Sequence, residues 1–104
     1  MADQRLSELY RIAAKEYVEL ESAANALEQT KSANFSQMVV ALGEGPITRL
    51  EHQARASSQW LQFLHHMISA RKAANLKEVE VEWIKMRHKE QLSEEFNARA
   101  ERHL

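Results

Sequence analysis

The sequence has no cysteine, which removes a disulfide framework, a thiolate zinc site and a cysteine nucleophile together. Glycine and proline are nearly as scarce: two glycines and one proline in 104 residues, all within residues 43–46. With so few residues that end or bend a helix, and with Ala, Leu, Glu, Gln, Lys and Arg plentiful, the chain is suited to long helices joined by few turns. An excess of one charge is lacking too. The formal net charge is −1 with histidine neutral, so no global field draws in a polyanion such as DNA, and any nucleic-acid surface has to be local. No run approaches the ~18 uninterrupted apolar residues of a membrane span. Residues 1–29 carry acids throughout instead of a basic and then apolar export pattern. The expectation is a soluble protein with no membrane partner, located in the cytoplasm, or in the host cytoplasm if the chain is viral.

What is present is densest in residues 47–74. Ile47, Leu50, Ala54, Leu61, Leu64 and Ile68 recur at steps of three and four, with Ser57 in the gap, which is helix periodicity. A second line, Ala56, Trp60, Phe63, Met67, Ala70 and Ala74, lies beside the first. The apolar face is therefore broad enough to touch more than one neighbouring helix. This stretch reads as the central helix, flanked on two sides, with Trp60, Phe63 and Met67 as core.

Before it, residues 3–31 carry one apolar stripe, Leu6, Leu9, Ala13, Tyr17, Leu20, Ala24 and Leu27, with charged residues off it. Asp3 caps this helix or lies in its first turn, where the amide dipoles favour an acid. Tyr10, Ile12 and Val18 lie to the side and either widen the core or remain on the surface. Residues 30–34 read as a break, followed by a short helix over 35–42 with Asn34 or Ser36 as its cap. Gly43, Glu44, Gly45 and Pro46 make the clearest boundary: helix end, turn, and proline at the next helix start. They lack the lysine, the further glycines and the preceding strand of a phosphate-binding loop.

The central helix is expected to end near Arg71 and Lys72, with Asn75 as the stop, and a charged helix to follow over 76–103. Glu78 to Trp83 alternates acid and apolar residues like a half-buried strand, but no second strand exists to pair with it. As a helix it carries two stripes. Leu76, Val79, Trp83 and Met86 lie on one side, and Val81, Ile84, His88, Leu92 and Phe96 on another. Its first half is expected to pack in a bundle, and its second half, through Ala100 and Leu104, to reach beyond it.

Chemistry is thin. The histidines are His52, His65, His66, His88 and His103; none stands four residues from another, so no two share a helical face as local metal ligands. His65, beside Leu64 and Ile68, reads as a half-buried group whose protonation loosens packing. Glu-x-x-His, the mark of a carboxylate-bridged metal pair in a bundle, does not occur. The carboxylates lie on solvated faces without an apolar pocket for acid–base work, and Ser57, Ser58 and Ser69 lie in a helix without a nucleophile elbow. No catalytic residue, metal ligand or cofactor is assigned.

A basic cluster, Lys85, Arg87, His88 and Lys89, is joined by Arg71 and Lys72 if the chain folds back near Asn75. It reads as a candidate partner-binding patch for nucleic-acid phosphates or an acidic protein surface, or as a solvated face balanced by Glu82 and Glu90. The stripe containing Leu6, Leu9 and Leu20, and the overhanging end at Leu92, Phe96 and Leu104, are the candidate oligomer interface, because a small domain with long helices covers such faces poorly alone.

Glu80, Val81, Glu82, Trp83, Ile84, Lys85, Met86 and Arg87, with the charged tail to Ala98, Arg99, Ala100 and Glu101, resemble the C-terminal portion of small all-helical phage and prophage accessory proteins. Trp83 stands where a tyrosine is expected, and His88 where an aromatic often follows. The resemblance covers about the last quarter of the chain. It implies an accessory role near phage recombination functions, without an assigned catalytic activity or functional residues to carry over. The combined expectation is a single all-α domain over 1–104, an up-and-down bundle of three long helices and one short one (3–31, 35–42, 47–74 and 76–103). It would act as a non-enzymatic protein–protein interaction module, homodimeric, of the phage accessory or anti-defence kind, binding a host protein. The alternative is a nucleic-acid-associated accessory factor using the basic patch.

Overall fold

A computed structural model describes the backbone of residues 2–102, and side chains from residue 5. The Asp3 side chain, His103 and Leu104 lie outside the described residues, and with them the expected cap at Asp3 and the interface role of Leu104. Every described element is an α-helix: α1 (Ala2–Gln29), α2 (Lys31–Ala41), α3 (Ile47–Ala56) and α4 (Ser58–Arg102). The all-α class is as the sequence predicts, but the helix boundaries differ at three places.

The break expected over 30–34 shrinks to Thr30. Its hydroxyl donates to the carbonyls of Ala26 and Leu27, while the Asn34 amide, backbone and side chain, donates back to the Thr30 carbonyl. Asn34 therefore caps nothing; α2 resumes at once from α1 as one bent rod. The expected central helix breaks instead at Ser57, whose extended backbone (φ −72°, ψ 147°) ends α3. The Ser57 hydroxyl accepts from the Trp60 amide at 3.2 Å, the N-cap arrangement that satisfies a free amide of the first turn, and donates to the Ala54 carbonyl at 2.6 Å. Asn75 is not a stop. It lies inside the 45 residues of α4, among alanine, leucine and lysine that favour helix, and among the described residues no non-glycine adopts a positive φ.

The turn at 43–46 holds as read. Gly43, at φ 95°, follows α2 in the left-handed region where a side chain is disfavoured, and the Pro46 carbonyl accepts the first helical hydrogen bond of α3, donated by the Leu50 amide.

One sharp turn and two bent rods make a hairpin, not a compact up-and-down bundle. The molecule measures 83 × 17 × 17 Å with a radius of gyration of 23.3 Å, against about 13 Å for a compact chain of this length. The physical reason is the continuity of α4: without a turn at Asn75 the last segment cannot fold back along residues 58–74 as a further layer. Instead α4 runs antiparallel to α1. Ala13 packs on Val81 and Ile84, and Arg5 and Leu6 lie beside Gln91 and Glu94. Given that register, α4 ends past the start of α1, as the sequence anticipates for the Phe96 end.

The seam on α4 steps by three and four through Trp60, Phe63, Met67, Ala70, Ala74, Lys77, Val81, Ile84, His88 and Gln91, all buried or half-buried, a heptad seam. On α1 the facing stripe is Leu6, Ala13, Tyr17, Leu20, Ala24 and Leu27, as predicted apart from the more exposed Leu9; Tyr10, Ile12 and Val18 are surface residues. Ala24 and Ala74 are fully covered, because alanine lets two helix backbones approach closely. At the tip, α3 folds against α2 through Val39, Leu50 and Ala54, joined by Phe35 and Met38.

The two stripes expected on the C-terminal helix meet different surroundings. Val81, Ile84 and His88 form the seam, whereas Leu76, Val79, Trp83 and Met86 are exposed to solvent. At 100° per residue that second stripe lies about half a turn from the first, on the side that α1 does not cover. Leu61 and Ile68 continue it toward the tip and are also exposed. The central face is thus broad, as predicted, but only one of its two sides has a neighbour.

Candidate functional site

The six basic residues do not converge. Arg71 and Lys89 are about 27 Å apart along one uninterrupted helix at 1.5 Å per residue. Arg71 is a fastener: its guanidinium donates to both Glu28 carboxylate oxygens, at 2.7 and 2.8 Å, and to the Asn25 side-chain carbonyl at 2.6 Å. It also lies 3.2 Å from Glu21. These contacts bind α1 to α4 just below the tip, and the guanidinium's hydrogen bonds hold Glu28 below the usual carboxylate range. Lys72 is exposed on the outer side of α4.

Farther along, Arg87 pairs with Glu90 at 3.0 Å and lines a cleft with Trp83, Leu6 and Leu9. Lys85, His88 and Lys89 line a different cleft with Ser7 and Tyr10. The helical twist separates Arg87 from the two lysines by more than a third of a turn. Of the predicted patch, only Lys85, His88 and Lys89 share one depression. His88 is half-buried, and its Nδ1 is covered and has no hydrogen-bond partner. His65, expected to be half-buried, is exposed.

Sequence reasoning missed the role of Lys77. It sits in the seam at a position where an apolar residue is usual, and its ammonium reaches Glu16 at 2.9 Å and Glu80 at 2.7 Å. Those hydrogen bonds raise its pKa. Its place in the three-and-four rhythm between Ala74 and Val81 was the available signal.

The tip carries an aromatic cluster. The Phe35 and Trp60 rings are 5.0 Å apart and tilted, Trp60 and Phe63 are stacked at 5.5 Å, and the Arg55 guanidinium stands 5.2 Å from the Phe35 ring centre. With Lys31, Ser32, Ser36 and Leu64 they border an open cleft of about 410 Å³. Trp60 itself is buried and belongs to the core, as the sequence suggests.

No family model matches this chain, and no curated protein or solved structure shows significant similarity to it.

The candidate oligomer residues divide as well. Leu6 and Leu20 are half-buried against α4, while Leu9, Leu92 and Phe96 are exposed, Phe96 at 72%. The larger apolar surface is the outer stripe of α4, where Val79 is 67% and Trp83 60% exposed. Among the described residues, no three His, Asp or Glu side chains gather as a metal site, and no helix is long and apolar enough to cross a membrane. Among the described residues the arrangement offers apolar helical surface and scattered charge.

Proposed function

We propose that the chain is a non-catalytic protein–protein interaction module, an accessory factor that acts by laying helical faces against another protein. The observation that carries this reading is the distribution of apolar side chains. Among the described residues, nine apolar side chains are buried and four of those are alanine, whereas fifteen large apolar side chains are exposed. A rod with so small a core and so much apolar surface gains most from association, and an apolar helix face is the usual means of helical recognition. The resemblance of residues 80–101 to phage accessory proteins points to a host protein as the target and to the host cytoplasm as the setting.

The nucleic-acid reading is weaker because the cations are dispersed. Arg71 is engaged by Glu21 and Glu28, Arg87 by Glu90, and only Lys85, His88 and Lys89 share a depression. A tagged pull-down from host lysate, with and without nuclease and across a salt series, separates the two. Recovery of one protein in stoichiometric amount, resistant to nuclease and high salt, is the expected result. Recovery of nucleic acid that is lost as salt rises, or of neither in stoichiometric amount, overturns the proposal.

A further inference from the structure

The outer stripe of α4 runs from Leu61 through Ile68, Leu76, Val79 and Trp83 to Met86, each between 56% and 67% exposed. His65 and Lys72 fill the two gaps in its rhythm. Most of it faces away from α1; Trp83 alone borders that helix, across the cleft it lines with Leu6 and Leu9, and is still 60% exposed. Together its six large residues expose on the order of 700 Å² per copy, the upper bound on what pairing of this stripe can bury, against the ~800 Å² buried per partner of a standard interface.

The spacing has a second property. Read from either end, the stripe is nearly the same: turning α4 end for end about a point between Ala73 and Ala74 sets Leu61 opposite Met86 and Ile68 opposite Val79, with His65 opposite Glu82 beside Trp83, and Lys72 opposite Asn75 beside Leu76. We propose that this stripe is a homodimer interface, in which the α4 helices of two copies pack antiparallel about a two-fold axis crossing α4 near Ala73 and Ala74. This rests on the reading of the chain as an interaction module and names the first partner as a second copy.

Two-fold symmetry demands a self-complementary patch, and the end-for-end register of the stripe provides one. The charge on it selects the orientation. A parallel, in-register pair sets Lys72 against Lys72 in the middle of an apolar face, a like-charge contact with water excluded. The antiparallel pair sets each Lys72 against Leu76 and Asn75 of the second copy. There the stem lies on apolar surface, the ammonium reaches the rim, and the Asn75 side-chain carbonyl is in register to accept from it. The two α4 helices are then enclosed between the two α1 helices, and the broad central face acquires its second neighbour from another chain.

Because the chain has no cysteine, introduced thiols report the geometry directly. Full-length Ile68→Cys and Val79→Cys chains, distinguishable by a mass tag, are mixed and mildly oxidised, while the wild-type mass is measured by sedimentation at micromolar concentration. The expected results are a dimeric mass and disulfides that join Ile68→Cys chains to Val79→Cys chains in preference to like chains. Val79→Lys, at a solvent-facing position, is expected to keep its helical circular dichroism and to weaken self-association by about 100-fold or more. A monomeric wild type, like-with-like disulfides, or a Val79→Lys chain that stays dimeric overturns the inference. A monomer that still retains one host protein defeats the dimer and leaves the interaction reading standing. A dimer that retains none does the reverse.

Discussion

The tip and the shaft of this hairpin are held by different means. At the tip, Val39, Leu50 and Ala54 pack with Phe35 and Met38, and Trp60 lies between the Phe35 and Phe63 rings. Large side chains there fill the angle between short helices. Along the shaft, α1 and α4 meet through Ala24 and Ala74, one cluster of Ala13, Val81 and Ile84, and the fasteners Arg71 and Lys77. The tip depends on volume that must be present and the shaft on volume that must be absent. Truncation should therefore damage the first and enlargement the second.

The largest effect is expected from Trp60→Ala. Removing a buried indole costs about 3–5 kcal/mol, and in a small domain that is a large share of total stability. Denaturant unfolding followed by circular dichroism should show it, and hydrogen exchange should show the tip opening while the middle of α4 keeps its protection. Equal loss of protection at the two ends would mean that tip and shaft are one cooperative unit.

Ala74→Leu is the reverse test. A larger side chain where Ala24 and Ala74 are fully covered is expected to cost about 1–3 kcal/mol through overpacking, although leucine is a good helix former. The same change at exposed Ala56 should be nearly neutral. A thermal midpoint in Ala74→Leu as high as in the wild type would remove the close-approach account of the shaft.

Ser57→Ala comes next. Losing the hydroxyl that accepts from the Trp60 amide should cost about 1 kcal/mol, and Ser57→Asp should recover most of it, because an aspartate also accepts at this position. Failure of aspartate to rescue would assign the loss to the bend itself.

The smallest effect is that of pH on the shaft. Glu28 titrates below its ordinary value because of Arg71, so its contribution is present above the unfolded pKa of about 4.3. It is lost as pH falls through the lowered folded value. Lys77 is raised by Glu16 and Glu80; its contribution is present below about 10.4 and is lost as pH rises through the raised folded value. Stability from these two groups should be flat near neutrality and fall at both extremes. Arg71→Gln should flatten the acid limb that Glu28 contributes, while unfolding of the Trp60→Ala variant should keep it.

Much of this was legible in the residues. The helical class followed from the shortage of glycine and proline, and the turn from their concentration in 43–46. The α1 stripe and the core place of Trp60 followed from steps of three and four. Ser57 was harder, because a serine within an apolar rhythm reads equally as a surface position or a cap, and only the Trp60 amide on its hydroxyl distinguishes them. Asn75 misled because asparagine ends helices by adopting a left-handed backbone, and nothing local shows whether that option is taken. With it went the expected convergence of Arg71 and Lys72 with Lys85, Arg87, His88 and Lys89.

The sequence by itself determined that the chain is helical, where it turns sharply, and that α4 carries apolar residues on two sides. Those are consequences of local propensity and spacing, which act over a few residues. Which of the two sides α1 covers was decided only in the tertiary structure. That choice depends on the register of two long helices, set by Ala13 against Val81 and Ile84 and by Arg71 against Glu21 and Glu28, contacts between residues far apart in the chain.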